Sequence, residues 1–207
     1  MDKNKKTVEA YDKNPKFYTD KFDSYGIRID DIDRALKLNE SGSNIVLELG
    51  CAGGRDAQYI ISKVGIDNYM GIDASAGLIK LAQDNVPQAV FHVKDMRDIS
   101  LADEIYKTEA FGIIFSFASV LHVNREELAE LMGKCHKMLK IGGILYISTK
   151  YGEYKEIEIE NLGDTKYYYS YTPGEIMEIA GTGFKAAYSI IQDSSYGPEL
   201  VMALRKI

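Results

Sequence analysis

The sequence predicts an α/β fold, a mainly parallel sheet with helices on both faces. Three features carry that expectation. Short apolar runs alternate with longer segments of helical spacing, the order that builds a sheet through crossover connections. The first run leads into a glycine-rich turn, Gly50-Cys51-Ala52-Gly53-Gly54, and then a helical segment. The last two runs, Phe184 to Gln192 and Glu199 to Leu204, are joined by Asp193-Ser194-Ser195-Tyr196-Gly197-Pro198. That link is too short for a helical crossover, so the two are expected to pair antiparallel. With 207 residues, 45% apolar and 27% charged, the chain supports one sizeable core but not two full domains, and disordered and collagen-like classes are excluded.

Residues 1–43 read as an N-terminal helical segment that packs as a lid. Its first 26 residues carry Tyr11, Phe17, Tyr18, Phe22 and Tyr25, too many rings for a solvated tail. Residues 44–207 form the main domain. Strands are expected at Ile45 to Leu49, Tyr69 to Asp73, Ala89 to Val93, Gly112 to Phe117 and Gly143 to Thr149. After the fourth, Asn124 and Glu127 form a capping-box signature, and Leu128, Leu131, Met132, Cys135, Met138 and Leu139 share one helical face that stops before Gly142 and Gly143. Beyond Thr149 the chain turns rich in tyrosine and acid, with weak periodicity. A further helix opens at Thr172-Pro173-Gly174-Glu175, where threonine caps, proline takes the first helical position and glutamate completes the box.

Charge and cysteine usage narrow the function classes. Against 25 basic residues stand 31 acidic ones, a net charge of -6, and no uninterrupted basic run is longer than Lys5-Lys6, so nucleic acid is an unlikely partner. Two cysteines cannot build a disulfide framework, and adjacent Cys135 and His136 do not have zinc-ligand spacing, so no metal site is expected. The charged start is no signal peptide, and the most apolar run, Phe111 to Val123, is too short and too interrupted to span a membrane. A cytoplasmic protein, monomer or homodimer, is the expectation.

The chemistry concentrates around the first turn. A buried strand running into glycines lets a ligand approach the backbone while the N–H groups of the helix start stay available. Asp73 ends the second strand 19 residues beyond Gly54, where a carboxylate can accept both ribose hydroxyls of an adenosine, and Asp95 follows 22 residues later, positioned for an adenine amino group. A nicotinamide fingerprint needs glycine at the third and sixth positions of the turn, and counting from Gly50 these are Ala52 and Arg55. That reading fails twice.

Taken together, Glu48-Leu-Gly-Cys-Ala-Gly-Gly54, Gly71-Ile-Asp73-Ala-Ser75, Asp95-Met96 and Leu139-Lys-Ile-Gly-Gly143 resemble the class I S-adenosylmethionine-dependent methyltransferases over roughly residues 44 to 207. Ala118-Ser-Val-Leu-His-Val123 and the Tyr171-Thr-Pro173 helix start are similar to a bacterial subgroup of small methyltransferases. The resemblance implies a Rossmann-like, doubly wound seven-stranded sheet of order 3-2-1-4-5-7-6 with strand 7 antiparallel. S-adenosylmethionine is then the cofactor, S-adenosylhomocysteine the product, and no metal takes part. It places the cofactor along Glu48, Gly50, Cys51, Ala52, Gly54 and Arg55, then Asp73, Ala74 and Ser75, Asp95 and Met96, with Tyr18, Phe117 and Leu121 closing over it. A small-molecule acceptor would meet Tyr11, His122, Tyr151, Tyr169 and Tyr171. Methyl transfer is an in-line displacement for which alignment and exclusion of water are the protein's main tasks.

Each assignment has a plainer competitor. Asp73 and Asp95 also suit a turn and a helix cap. Glu48 ends a buried strand, where an unpaired carboxylate is costly, which favours a ligand partner. Arg55 either clasps the cofactor carboxylate or faces solvent. His122 either assists deprotonation of the acceptor or is a hydrogen-bonded core residue. Tyr11 and Tyr18 either face the sulfonium or simply stack, and the tyrosines at 167 to 171 either wall the acceptor pocket or pack on the core. Three departures from the family pattern stand out: Ala52 for a glycine, Ile141 for a proline, and the expanded Ala180-Gly-Thr-Gly-Phe184. A left-handed backbone at Ala52 would be strained and would weaken cofactor affinity. A non-catalytic adenosyl-binding module and a nucleic-acid methyltransferase are the alternative functions.

Overall fold

The computed structural model describes residues 2–194 and 197–207. Three helices come first, α1 (Lys3–Lys13), α2 (Pro15–Asp23) and α3 (Ile29–Leu38). The sheet then alternates with helices: β1 (Val46–Leu49), α4 (Ala57–Val64), β2 (Tyr69–Asp73), α5 (Ala76–Asn85), β3 (Val90–Val93), β4 (Phe111–Phe117), α6 (Arg125–Met138) and β5 (Leu139–Tyr151). The chain finishes with β6 (Lys155–Asn161), β7 (Asp164–Tyr171), α7 (Pro173–Ala180), β8 (Phe184–Ser194) and β9 (Gly197–Lys206).

Strands β3, β2, β1, β4 and β5 are parallel in that order. Along Ile144 to Lys150, β5 pairs antiparallel with Arg205 to Glu199 of β9, and β9 pairs antiparallel with β8. With β8 and β9 as the sixth and seventh strands, the expected order and the antiparallel ending are both present. Of the expected connection between these strands, Ser195 and Tyr196 lie outside the described residues.

Among the described residues the sheet has nine strands, not seven, because β6 and β7 form an inserted hairpin. It joins the sheet only at the far end of β5, through Lys150 opposite Ser170 and Tyr151 opposite Tyr171. Its turn, Leu162-Gly163, has both residues at positive φ, +54° and +77°, as a two-residue hairpin loop of matching twist requires. Leucine is not a residue that announces such a turn, and β6 (Lys-Glu-Ile-Glu-Ile-Glu-Asn) shows both faces mostly to solvent, so its periodicity carries little apolar signal.

Alternate residues of the inner strands feed two cores, which is why these strands read as unbroken apolar runs. Leu47, Leu49, Ile114 and Leu145 pack against Leu128, Leu131, Cys135 and Met138 of α6 and Ile176 of α7. Val46, Ile113, Phe115 and Ile144 face the other way, toward Ile60 of α4, Ala82 of α5, and Ile32 and Ala35 of α3. Within residues 1–43, then, α3 belongs to the layer covering the sheet, whereas α1 and α2 lie elsewhere. Helix α6 has its capping box at Asn124 and ends at Met138, and α7 has its own at Thr172. Ile141 is exposed, and Gly181–Gly183 form one short turn that hands the chain to β8, so neither departure reaches the carboxyl edge of the sheet.

Candidate active site

Over the carboxyl ends of the parallel strands lies a cavity of about 360 Å³, the usual place for a ligand in an open α/β sheet. One wall is the turn after β1. Gly50 has φ +73°, and a Cβ there would stand 1.9 Å from Ser119 Oγ, so the loop after β4 presses directly on it. Ala52 also turns left-handed, at φ +48°, with a Cβ to pay the steric penalty. Its N–H donates to Asp73 Oδ2 at 3.0 Å while the Ser75 N–H donates to Oδ1 at 2.9 Å, so Asp73 binds the turns of β1 and β2 together. Burial, opposed by those two bonds and reinforced by the charges of Asp12 and Asp95, pushes the Asp73 carboxyl up to about 6.

Glu48 is 3% exposed and accepts a 2.5 Å bond from the Tyr69 hydroxyl. Burial, with the Asp56 charge adding to it, pushes its carboxyl up to about 8. Arg55 pairs with Asp56 at 2.5 Å and donates to the Phe22 carbonyl at 3.1 Å, so it ties α2 to the glycine turn. Asp95 lines the cavity and also caps the short turn after β3; Arg97 holds its carboxylate at 2.8 Å and bridges to Glu127 and Asp2. Cys51, Ala74, Met96, Phe117 and Leu121 line the cavity, and burial raises the Cys51 thiol well above the ordinary range. Gly54 and Ser75 do not reach it. A Cβ at Gly54 would face Ala82 and Phe91, and the Ser75 hydroxyl donates to Asp12 Oδ1 at 2.5 Å.

The opposite wall comes from α1, β7 and the loop after β4. His122 Nδ1 lies 2.8 Å from the Tyr167 carbonyl and Nε2 lies 3.0 Å from the Tyr11 hydroxyl. A carbonyl only accepts, so Nδ1 carries the proton, and Nε2 of the neutral ring accepts from Tyr11. Burial, against that carbonyl bond, together with repulsion from Lys166 and Lys150, pushes His122 down to about 4. Tyr18 is 1% exposed, packs edge-on to Tyr11 at 4.7 Å, and its hydroxyl accepts from Lys166 Nζ at 3.0 Å.

Three expected acceptor residues are not in this wall. Tyr151 is exposed at the sheet edge, Tyr169 points away and donates to Glu156 Oε2, and Tyr171 is fully buried with its hydroxyl on the Val123 carbonyl. Strand alternation is the cause. Odd positions of β7 turn to the core or the hairpin's outer side, and even positions, Lys166 and Tyr168, face the cavity. A period-two reading of Lys166-Tyr-Tyr-Tyr-Ser170 picks out that pair once the segment is taken as a strand. Sequence reasoning also passed over Thr7, whose Oγ1 accepts from the Tyr167 N–H, Asn4, whose side chain donates to the His122 carbonyl, and Thr19 against the glycine turn.

The methyltransferase domain family matches residues 46–143. The phosphoethanolamine N-methyltransferase of Plasmodium falciparum is 30% identical over 132 residues, 62% of this chain, and the chain spans 45% of that relative's length. Among solved structures, a Methanosarcina mazei S-adenosylmethionine-dependent methyltransferase superposes with TM-score 0.68 at 16% identity over 83% of this chain and 96% of its own. Magnesium protoporphyrin IX methyltransferase of Synechocystis, solved with S-adenosylmethionine bound, gives 0.63 at 13% identity over 85% and 76%. At such identities the structures speak for the fold alone. The matched segment runs from β1 to the start of β5, so over that stretch the chain is similar to a methyltransferase domain, and it shares the fold of these methyltransferases.

Proposed function

We propose that the chain transfers a methyl group from S-adenosylmethionine to a small-molecule acceptor, with the donor on the Glu48–Asp73 wall and the acceptor against Tyr11, His122 and Tyr168. The observation that carries this reading is Glu48. It is a buried carboxyl with one hydrogen-bond partner, Tyr69, and no ion pair among the described residues; burial holds it largely protonated, and an arriving cation favours its ionised form and pairs with it. The donor's ammonium and sulfonium are such cations. The hydroxyl of Thr19, buried and without a partner among the described residues, and the close approach at Gly50 fit a ligand seated on the turn.

When bound, S-adenosylmethionine supplies a methyl group on an already activated sulfonium. This chain's residues then have three tasks. Asp73 and the backbone it fastens hold the adenosyl end. Helices α1 and α2 exclude water from the carboxyl edge. Neutral His122, its ring locked by Tyr167, accepts the Tyr11 proton bond, so Tyr11 oxygen can take a proton from an acceptor O–H or N–H while its own moves to Nε2.

The test is incubation with labelled donor and a metabolite library, read by mass gain of one methyl. Against the acceptor so found, His122→Gln and Tyr11→Phe should each lower kcat roughly 10²-fold or more with S-adenosylhomocysteine affinity unchanged. Undiminished kcat in both would remove the proton path while leaving methyl transfer in place.

A further inference from the structure

Lys166 is a buried cation that no structural ion pair explains. It leaves β7 toward the cavity and is 4% exposed. Among the described residues its ammonium meets only the Tyr18 hydroxyl, at 3.0 Å, and the ring faces of Tyr18 and Tyr11, at 4.1 and 4.8 Å from their centroids. Ring faces attract the charge but use none of its three N–H donors in a conventional bond, and Tyr18 takes one. The side chain therefore enters the cavity with donors to spare.

Glu48, Asp56, Asp73 and Asp95 line the end made by the turns after β1, β2 and β3. The cations that also line the cavity there have acidic partners: Arg28 meets Glu199, Arg55 meets Asp56 and Lys94 meets Asp103. At the other end, Lys166 is joined by Lys150, whose ammonium lies 5.7 Å from the Tyr168 ring, and by exposed Lys21 at the mouth. The acids of that end, Asp23 and Glu160, are exposed at the rim, and nearby Asp164 is engaged by Lys13. Burial, with Lys21 adding repulsion, pushes Lys166 down to about 8, which still leaves it charged at neutral pH. A cationic donor thus has an acidic wall, and the space opposite it a basic one.

We propose that Lys166, supported by Lys150, forms an anion subsite, and that the methyl acceptor is a small molecule whose carboxylate or phosphate group is held there while its nucleophilic atom faces Tyr11 and His122. This rests on the methyltransferase reading of the cavity. Lys166 Nζ lies over the face of the Tyr11 ring, 4.8 Å from its centroid, and the hydroxyl of that ring meets His122, so anionic group and nucleophile are within about one aromatic ring of each other, which selects a short acceptor. The inserted hairpin supplies the subsite, so acceptor choice resides in an addition to the sheet and not in the sheet itself.

Calorimetry on the full chain saturated with S-adenosylhomocysteine, titrated at constant ionic strength with inorganic phosphate and separately with acetate, tests this. Binding of at least one anion is expected, weakened roughly 10- to 100-fold by Lys166→Met and unchanged by Lys155→Met on the outer strand of the same hairpin. Preference for phosphate points to a phosphate monoester acceptor, and preference for acetate to a carboxylate. Should Lys166→Met fail to fold, the Lys166 ammonium resonance of the ¹⁵N-lysine-labelled parent protein must move on addition of the anion that binds. An unmoved resonance, equal anion affinity in Lys166→Met, or no anion binding despite tight S-adenosylhomocysteine overturns the subsite. Failure of S-adenosylhomocysteine itself to bind counts instead against the methyltransferase reading.

Discussion

At Ala52 the backbone bends left-handed with a Cβ in place, although glycine would do so freely. Ala52→Gly should therefore raise stability by about 0.5–1 kcal/mol in urea unfolding, after the larger unfolded-state entropy of glycine is subtracted from the relieved strain, and should leave S-adenosylhomocysteine bound at least as tightly. Asp73 is the converse case, because its two oxygens already hold the Ala52 and Ser75 N–H groups. Asp73→Ala orphans both donors, at about 1–3 kcal/mol each, so calorimetry should show S-adenosylhomocysteine affinity lost together with a lowered melting point. An unchanged affinity would reject Asp73 as a cofactor residue. His122 sets a pH dependence. Burial depresses its folded pKa to about 4 from 6.5, so its contribution to stability is complete above pH 6.5 and is lost as pH falls toward 4. Its ring protons should titrate near 4 by NMR, and His122→Gln should flatten the fall in melting temperature across that window.

Helix α1 is attached to the rest of the fold by contacts of unequal worth. The pairs Lys3–Glu156 and Lys13–Asp164 reach the hairpin through exposed lysines and contribute little in salt. Asp12 has more weight, since its carboxylate accepts from the Ser75 hydroxyl and the Gly77 N–H at the start of α5. Asp12 does not line the cavity, so Asp12→Ala should loosen α1 by about 1–3 kcal/mol, seen as faster amide exchange across residues 3–13, while the sheet's protection stays intact. Removing the chain up to Gly26 takes away both helices, with Tyr11 and buried Tyr18. Turnover should then fall roughly 10²-fold through lost alignment and admitted water, a larger effect than that on melting temperature. Full turnover in that truncation would end the lid proposal and spare the methyltransferase reading.

Across the whole molecule, ligand linkage gives the simplest check. S-adenosylhomocysteine at a hundred times its Kd should add about 2.7 kcal/mol, raising Tm by roughly 5 to 11 °C for a chain of this size, whereas NAD and NADP should give no shift. No helix among the described residues is long and apolar enough to cross a membrane. The resemblance of the chain's motifs to a methyltransferase family implied the strand order. The sequence by itself determined the parallel strands, the antiparallel ending, both capped helices and the acids Glu48, Asp73 and Asp95 at the cavity. These follow from local periodicity, caps and one turn motif, which a short stretch of chain carries without reference to the rest. Only the tertiary structure decided the cavity wall opposite those acids. A one-residue choice of strand face sends Tyr169 and Tyr171 away from the cavity and Lys166 and Tyr168 into it, and that choice depends on a hairpin too polar to read as strands. The Tyr11–His122–Tyr167 chain spans residues more than 150 positions apart, and α3 parts from α1 and α2 because Ile32 and Ala35 find apolar neighbours on the sheet. Such pairings are set by which surfaces meet when the core closes, and no local pattern encodes them.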